Sequence, residues 1–125
     1  MFRIQRTTSA LLALLALPTG ASAQCFDQEI GANNAQVLDV FGWSLDLGVD
    51  QLVVGAIATD GACAMDPDCN SGSAYVFQRM GGTWFQQSQL VGSDTNALDQ
   101  FGHDVAISGD RVLVGAHLKE GGGAA

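Results

Sequence analysis

The chain has 125 residues, a formal charge of −8, 47% hydrophobic residues and only 14% charged ones; it has the length of one small domain and too much apolar content for a disordered segment. All thirteen acids lie beyond residue 23 and two of the five bases before it, so residues 24–125 carry −10. That excess argues against nucleic acid or an anionic membrane as a partner, and leaves a solubilising acidic surface or a cation-binding one.

In chain order, Arg3 and Arg6 precede an apolar stretch at residues 10–17 and the small-residue site Ala21-Ser22-Ala23. This is the pattern of a cleaved export signal over residues 1–23. The stretch is too short to span a bilayer, so no membrane insertion is expected after cleavage. A lipid anchor on Cys25 is the rival reading, against which Gln24 stands where such signals want a small residue. Residues 24–38 are a lead-in with a turn at Gly31-Ala32-Asn33-Asn34, and a short strand is expected over residues 36–40.

Residues 41–56 read FGWSLDLGVDQLVVGA, and residues 101–116 write the pattern again as FGHDVAISGDRVLVGA. Phe41/Phe101, Gly42/Gly102, Asp50/Asp110, Val54/Val114, Gly55/Gly115 and Ala56/Ala116 are identical, as are the preceding Asp39 and Asp99. Such a period is the signature of a stacked repeat. Phe41, Trp43, Leu45 and Leu47 alternate with Gly42, Ser44, Asp46 and Gly48, which predicts a half-buried strand. In the copy only His103 is off-pattern. A Gly/Asp turn follows in both, then the continuous apolar runs Leu52-Val53-Val54-Gly55-Ala56 and Val112-Leu113-Val114-Gly115-Ala116, which read as strands covered on both faces. Their small Gly-Ala ends predict close approach of a neighbouring backbone.

Between the copies, residues 57–71 form a polar loop. Asp66, Asp68 and Asn70, with Gly72 after them, have the opening rhythm of a calcium loop, although no further carboxylate follows in the next strand; an exposed polar loop is the other reading. Cys63 and Cys69 in that loop are expected to pair as a local disulfide in an oxidising compartment, leaving Cys25 without a partner in the chain. Residues 73–79 and 84–90 read as a hairpin around Gly81-Gly82. Its Tyr75, Phe77 and Trp84 read as core packing, with a sugar-stacking platform as the alternative. Residues 91–100 are a polar connection of the kind that carries binding function.

The pairs Phe41-Gly42 with Gly55-Ala56, and Phe101-Gly102 with Gly115-Ala116, resemble the FG-GAP repeat of integrin alpha chains and of secreted bacterial proteins. Gly72-Ser73-Ala74-Tyr75-Val76-Phe77, Trp84 and Leu90 are similar to the later strands of the bacterial form. Ile57 and His117 stand where that family usually has proline, and its calcium loops lie between the Phe-Gly and Gly-Ala elements, where this chain has only a tight turn. The resemblance implies an all-β fold of beta-propeller blades, each of four antiparallel strands: one repeat over residues 39–98 and an incomplete one over residues 99–125, about one and a half blades. A propeller needs more blades to close, so the chain reads as the amino-terminal piece of a longer protein or as a truncated product.

No nucleophile pattern and no phosphate cradle is present, and His103 beside Asp99 or Asp104 is the sole general-base candidate against a reading as a tolerated strand residue. The expectation is therefore a non-enzymatic, secreted or cell-surface repeat protein of adhesion or ligand binding. Its partners would be a protein or glycan ligand, or further copies of itself meeting through exposed strand edges. The alternatives are an accessory module of an exported hydrolase and a product without independent function.

Overall fold

The computed structural model describes residues 28–63, 65–66 and 68–119. The export signal, Cys25 and the last six residues lie outside them. Six strands follow one another: β1 Phe41–Leu47, β2 Gln51–Ala56, β3 Ser73–Met80, β4 Thr83–Leu90, β5 Phe101–Ser108 and β6 Arg111–Ala116. They form a four-stranded antiparallel sheet in the order β1-β2-β3-β4 and a two-stranded sheet β5-β6, with no helix among the described residues. This is an all-β fold of partial propeller blades.

Local chemistry sets the connections. Met80 pairs with Thr83 across Gly81 and Gly82, both at positive φ (58° and 86°), the backbone of a type I′ hairpin turn. Gly109 (φ 59°) opens the two-residue turn between Ser108 and Arg111. The strand expected over residues 36–40 is absent, because residues 37–38 turn instead: the Asp39 carboxylate accepts from the Gln36 amide at 2.7 Å, and an Asx bracket of this kind competes with strand pairing. Leu38 and Val40 are held at φ 79° and 54°. The same bend recurs sixty residues on, with Asn96 N donating to Asp99 Oδ2 at 2.7 Å and with Leu98 and Gln100 at φ 68° and 55°. Repetition thus reaches back through residues 31–40, ahead of the Phe-Gly pair.

The core lies on both faces of the first sheet. On one face Val54, Ala56, Tyr75 and Phe77 are buried with Phe41, Leu52 and Trp84, under Ile30 and Ala32 of the lead-in. On the other, Val53, Ala74 and Val76 are buried beneath Val105, Ile107, Val112 and Val114 of the second sheet. Full burial of each aliphatic side chain stabilises by about 1.5–3 kcal/mol. Tyr75 and Phe77 are therefore core residues and not a platform, as their burial leaves no aromatic face to offer. The outer edge of β4 is capped by one side chain: Gln28 donates from Nε2 to Trp84 O (2.9 Å) and accepts from Trp84 N at Oε1 (2.8 Å), as a neighbouring strand would.

Two expectations about burial need correction. In β1 the pairing jumps from Phe41↔Ala56 to Ser44↔Gly55, so Gly42 and Trp43 bulge out of the ladder; β5 repeats the jump at Phe101 and Asp104. Trp43 and His103 are therefore bulge residues, which is why so different a pair can occupy one position. Leu45 and Leu47 are exposed, whereas their counterparts Val105 and Ile107 pack on the first sheet. Likewise β2 is covered on both faces but β6 is not: Val53 is 0% exposed and its counterpart Leu113 75%. The difference is a neighbour, since among the described residues nothing packs on that side of the second sheet.

Candidate binding surface

The repeated motif has a direct physical function at the junction of the sheets. Gly55, in the Gly-Ala pair of the first repeat, lies against Gly102, in the Phe-Gly pair of the second: a Cβ on Gly55 would stand 1.9 Å from Gly102 O. Gly102 itself sits at φ 93°, and a Cβ there would meet Ser73 O at 2.2 Å. Backbone approaches backbone here because neither residue has a side chain. Ser44 Oγ donates to Gly102 O (2.8 Å), and Asp46 Oδ2 accepts from Ile107 N (2.8 Å), so two polar groups of β1 stitch the second sheet to the first.

Just beyond this junction the two bulges bring aromatic side chains of both repeats together. The Trp43 and His103 rings are 5.5 Å apart, and His103 stacks on His117 at 4.4 Å with 23° between planes. Trp43 stays 51% exposed, an unusual share for an indole in a packed protein. Beside the row, His103 Nδ1 lies 3.0 Å from Asp104 Oδ2, and the Asp104 side chain is 87% exposed. An ionised carboxylate only accepts, so Nδ1 carries the proton of that contact. His103 thus has Asp104 as its acidic neighbour and not Asp99, which is buried, brackets Asn96 and faces Lys119 Nζ at 3.4 Å. Sequence alone did not connect Trp43, His103 and His117; the clues were one off-pattern strand position and one departure from proline.

The loop at residues 57–72 stands at the same end of the sheets. Cys63 and Cys69 are joined by a disulfide, and Cys69 O accepts from Leu98 N at 2.7 Å, tying the loop to the connection that leads into β5. Asp66 Oδ1 accepts from Asp68 N (3.0 Å), Asp60 Oδ1 from Asn70 N (3.0 Å), and Asn70 Nδ2 donates to Asp68 O (3.1 Å). Asp66 and Asn70 are engaged in bracing the loop's own backbone. Among the described residues, no three His, Cys, Asp or Glu side chains converge.

The FG-GAP repeat family model matches residues 26–77 and 84–125. The chain belongs to the FG-GAP repeat family. The FG-GAP match covers both copies of the motif as well as the bends that precede them. No curated protein matches the sequence. FG-GAP repeats build binding modules of the beta-propeller type, a fold that is generally non-enzymatic and that is typical, like a disulfide, of extracellular proteins.

Proposed function

We propose that this FG-GAP protein is an exported, non-enzymatic binding module of adhesion or ligand recognition, and that the row Trp43–His103–His117 is its contact surface. One observation carries the reading: a half-exposed tryptophan is held in place by a histidine of the next repeat, at a position where both repeats bulge out of their ladders. Large, rigid aromatic groups supply contact area at little entropic cost, and they anchor interfaces for that reason. Export is supported by the basic start and apolar stretch of residues 1–23 together with the Cys63–Cys69 disulfide.

The test is a peptide and glycan array probed with the exported chain and with Trp43→Ala. Since Trp43 packs on His103 and not in the core, the variant should keep the wild-type circular dichroism spectrum. Ligands retained by the wild type should be bound about tenfold more weakly, the equivalent of ~1.4 kcal/mol. Equal retention of every ligand by both proteins would refute the assignment.

A further inference from the structure

We infer that this surface takes a cation of the ammonium or guanidinium type, a lysine or arginine side chain presented by a protein partner. The inference rests on the proposed contact surface and adds the chemistry of what it contacts. Trp43 offers the best of the cation-binding aromatic faces, and it is half exposed. Asp104, the residue after the bulged His103 and paired again in the ladder with Gly115, offers a carboxylate that lies 3.0 Å from His103 Nδ1 while the group stays 87% open. An aromatic face and a carboxylate that both adjoin the one His103 ring, at 5.5 Å between ring centres and at 3.0 Å from Nδ1, supply the two groups that recognise a basic side chain, and the carboxylate repels anionic ligands.

The protein's own cations lie elsewhere. Beyond residue 23 there are three bases, Arg79, Arg111 and Lys119. Arg79 lies over Trp84 at 5.9 Å, on the outer hairpin. Lys119 pairs with Asp94 and Asp99, each at 3.4 Å. Arg111 opens β6 at the turn, the far end of that hairpin from His117. Among the described residues Asp104 pairs with His103 alone, in a chain whose residues 24–125 carry −10. A basic partner is attracted by this field and finds Asp104 with no internal cation to displace.

The experiment is an NMR titration of the exported chain with three probes: capped Lys-Gly-Lys, capped Gln-Gly-Gln and maltose. The chain has two tryptophans, so loss of one indole N–H signal in Trp43→Ala assigns the reporter. Expected is a saturable shift of the Trp43 signal with the lysine peptide, weakened by raising NaCl from 0.05 to 0.5 M and at least about fivefold weaker in Asp104→Asn. Asp50→Asn, at the opposite end of the sheets, should change nothing. A similar loss in both variants would mean attraction by diffuse negative charge and overturn the inference. Binding of maltose or the glutamine peptide that shifts Trp43 and ignores Asp104→Asn would overturn the cation while leaving the contact surface standing. A Trp43 signal that no probe moves would overturn the inference, and the array would then decide whether the surface itself falls with it.

Discussion

Gly55→Ala tests why the motif has glycine at the end of β2. The added methyl would stand 1.9 Å from the Gly102 carbonyl oxygen and 2.4 Å from Ser44 Oγ, roughly 1.5 Å short of an ordinary contact with that carbonyl. The obstacle is backbone on one side and a hydrogen-bonded hydroxyl on the other, so the second sheet has to move away. That costs about 1–3 kcal/mol in overpacking and about 1 kcal/mol more through the Ser44–Gly102 hydrogen bond. The lower chain entropy of alanine returns about 0.4–1 kcal/mol. The net expectation is a loss of about 2 kcal/mol, or roughly 8–16 °C in Tm for a domain of this size. Gly115 is the internal control, because its counterpart methyl meets nothing nearer than 3.7 Å, at Asp104. Gly115→Ala should leave Tm unchanged or raise it by a few degrees. Thermal denaturation of the full exported chain, followed by circular dichroism, reads both. Equal shifts in the two variants would refute the argument that the motif glycine exists for the neighbouring backbone.

Three further outcomes are expected. Tyr75 is the chain's single tyrosine, and its hydroxyl is buried without a hydrogen-bond partner; burial pushes the phenol above its ordinary value, the Asp39 charge adds to the shift, and nearby Asn34 and Ser73 oppose it. Since the folded state holds that proton more tightly than the unfolded one, stability should be intact below pH 10 and fall as pH rises through the folded value; absorbance at 295 nm should show phenolate appearing only as the protein unfolds, and Tyr75→Phe should be neutral or stabilising. Gln28→Ala removes both bonds that cap β4 and should cost about 1–2 kcal/mol while raising concentration-dependent association seen by light scattering; an unchanged association state would show that the edge is guarded by something else. A thiol count on the non-reduced protein should find one reactive cysteine, and Cys63→Ser with Cys69→Ser should cost about 2 kcal/mol, the chain-entropy value for so short a loop.

The sequence and the structure agree most closely where the physics is local. Strand positions, the Gly81-Gly82 turn and the close approach at Gly55 all follow from the period of two, from glycine and from small residues beside a backbone. Prediction failed where one residue's environment is set by another element. The alternation through Phe41, Trp43 and Leu45 treats the strand as unbroken, and only pairing with β2 reveals the bulge that frees Trp43. Val53 and Leu113 are near equivalents in sequence, yet one is core and the other exposed, because burial belongs to the neighbour and not to the residue. His117 pairs with His103 across a hairpin, a relation that no spacing rule reports. Residues 36–40 turn and do not pair as the expected strand because the Asp39 carboxylate brackets the Gln36 amide, apolar though Val37, Leu38 and Val40 are.

That bend has a consequence for how such a chain changes in length. The strained left-handed residues, the carboxylate bracket and the carbonyl that takes the amide of Ala58 or Leu118 all return at an interval of sixty residues. The bend that leads into the Phe-Gly strand therefore has the same shape on both of its occurrences. An unequal crossover between the two copies would delete or duplicate one whole unit and leave each splice on a junction already known to fit. Growth and loss in whole steps cost no new loop, whereas an insertion of any other length would have to rebuild the bend, with its backbone strain, from the beginning.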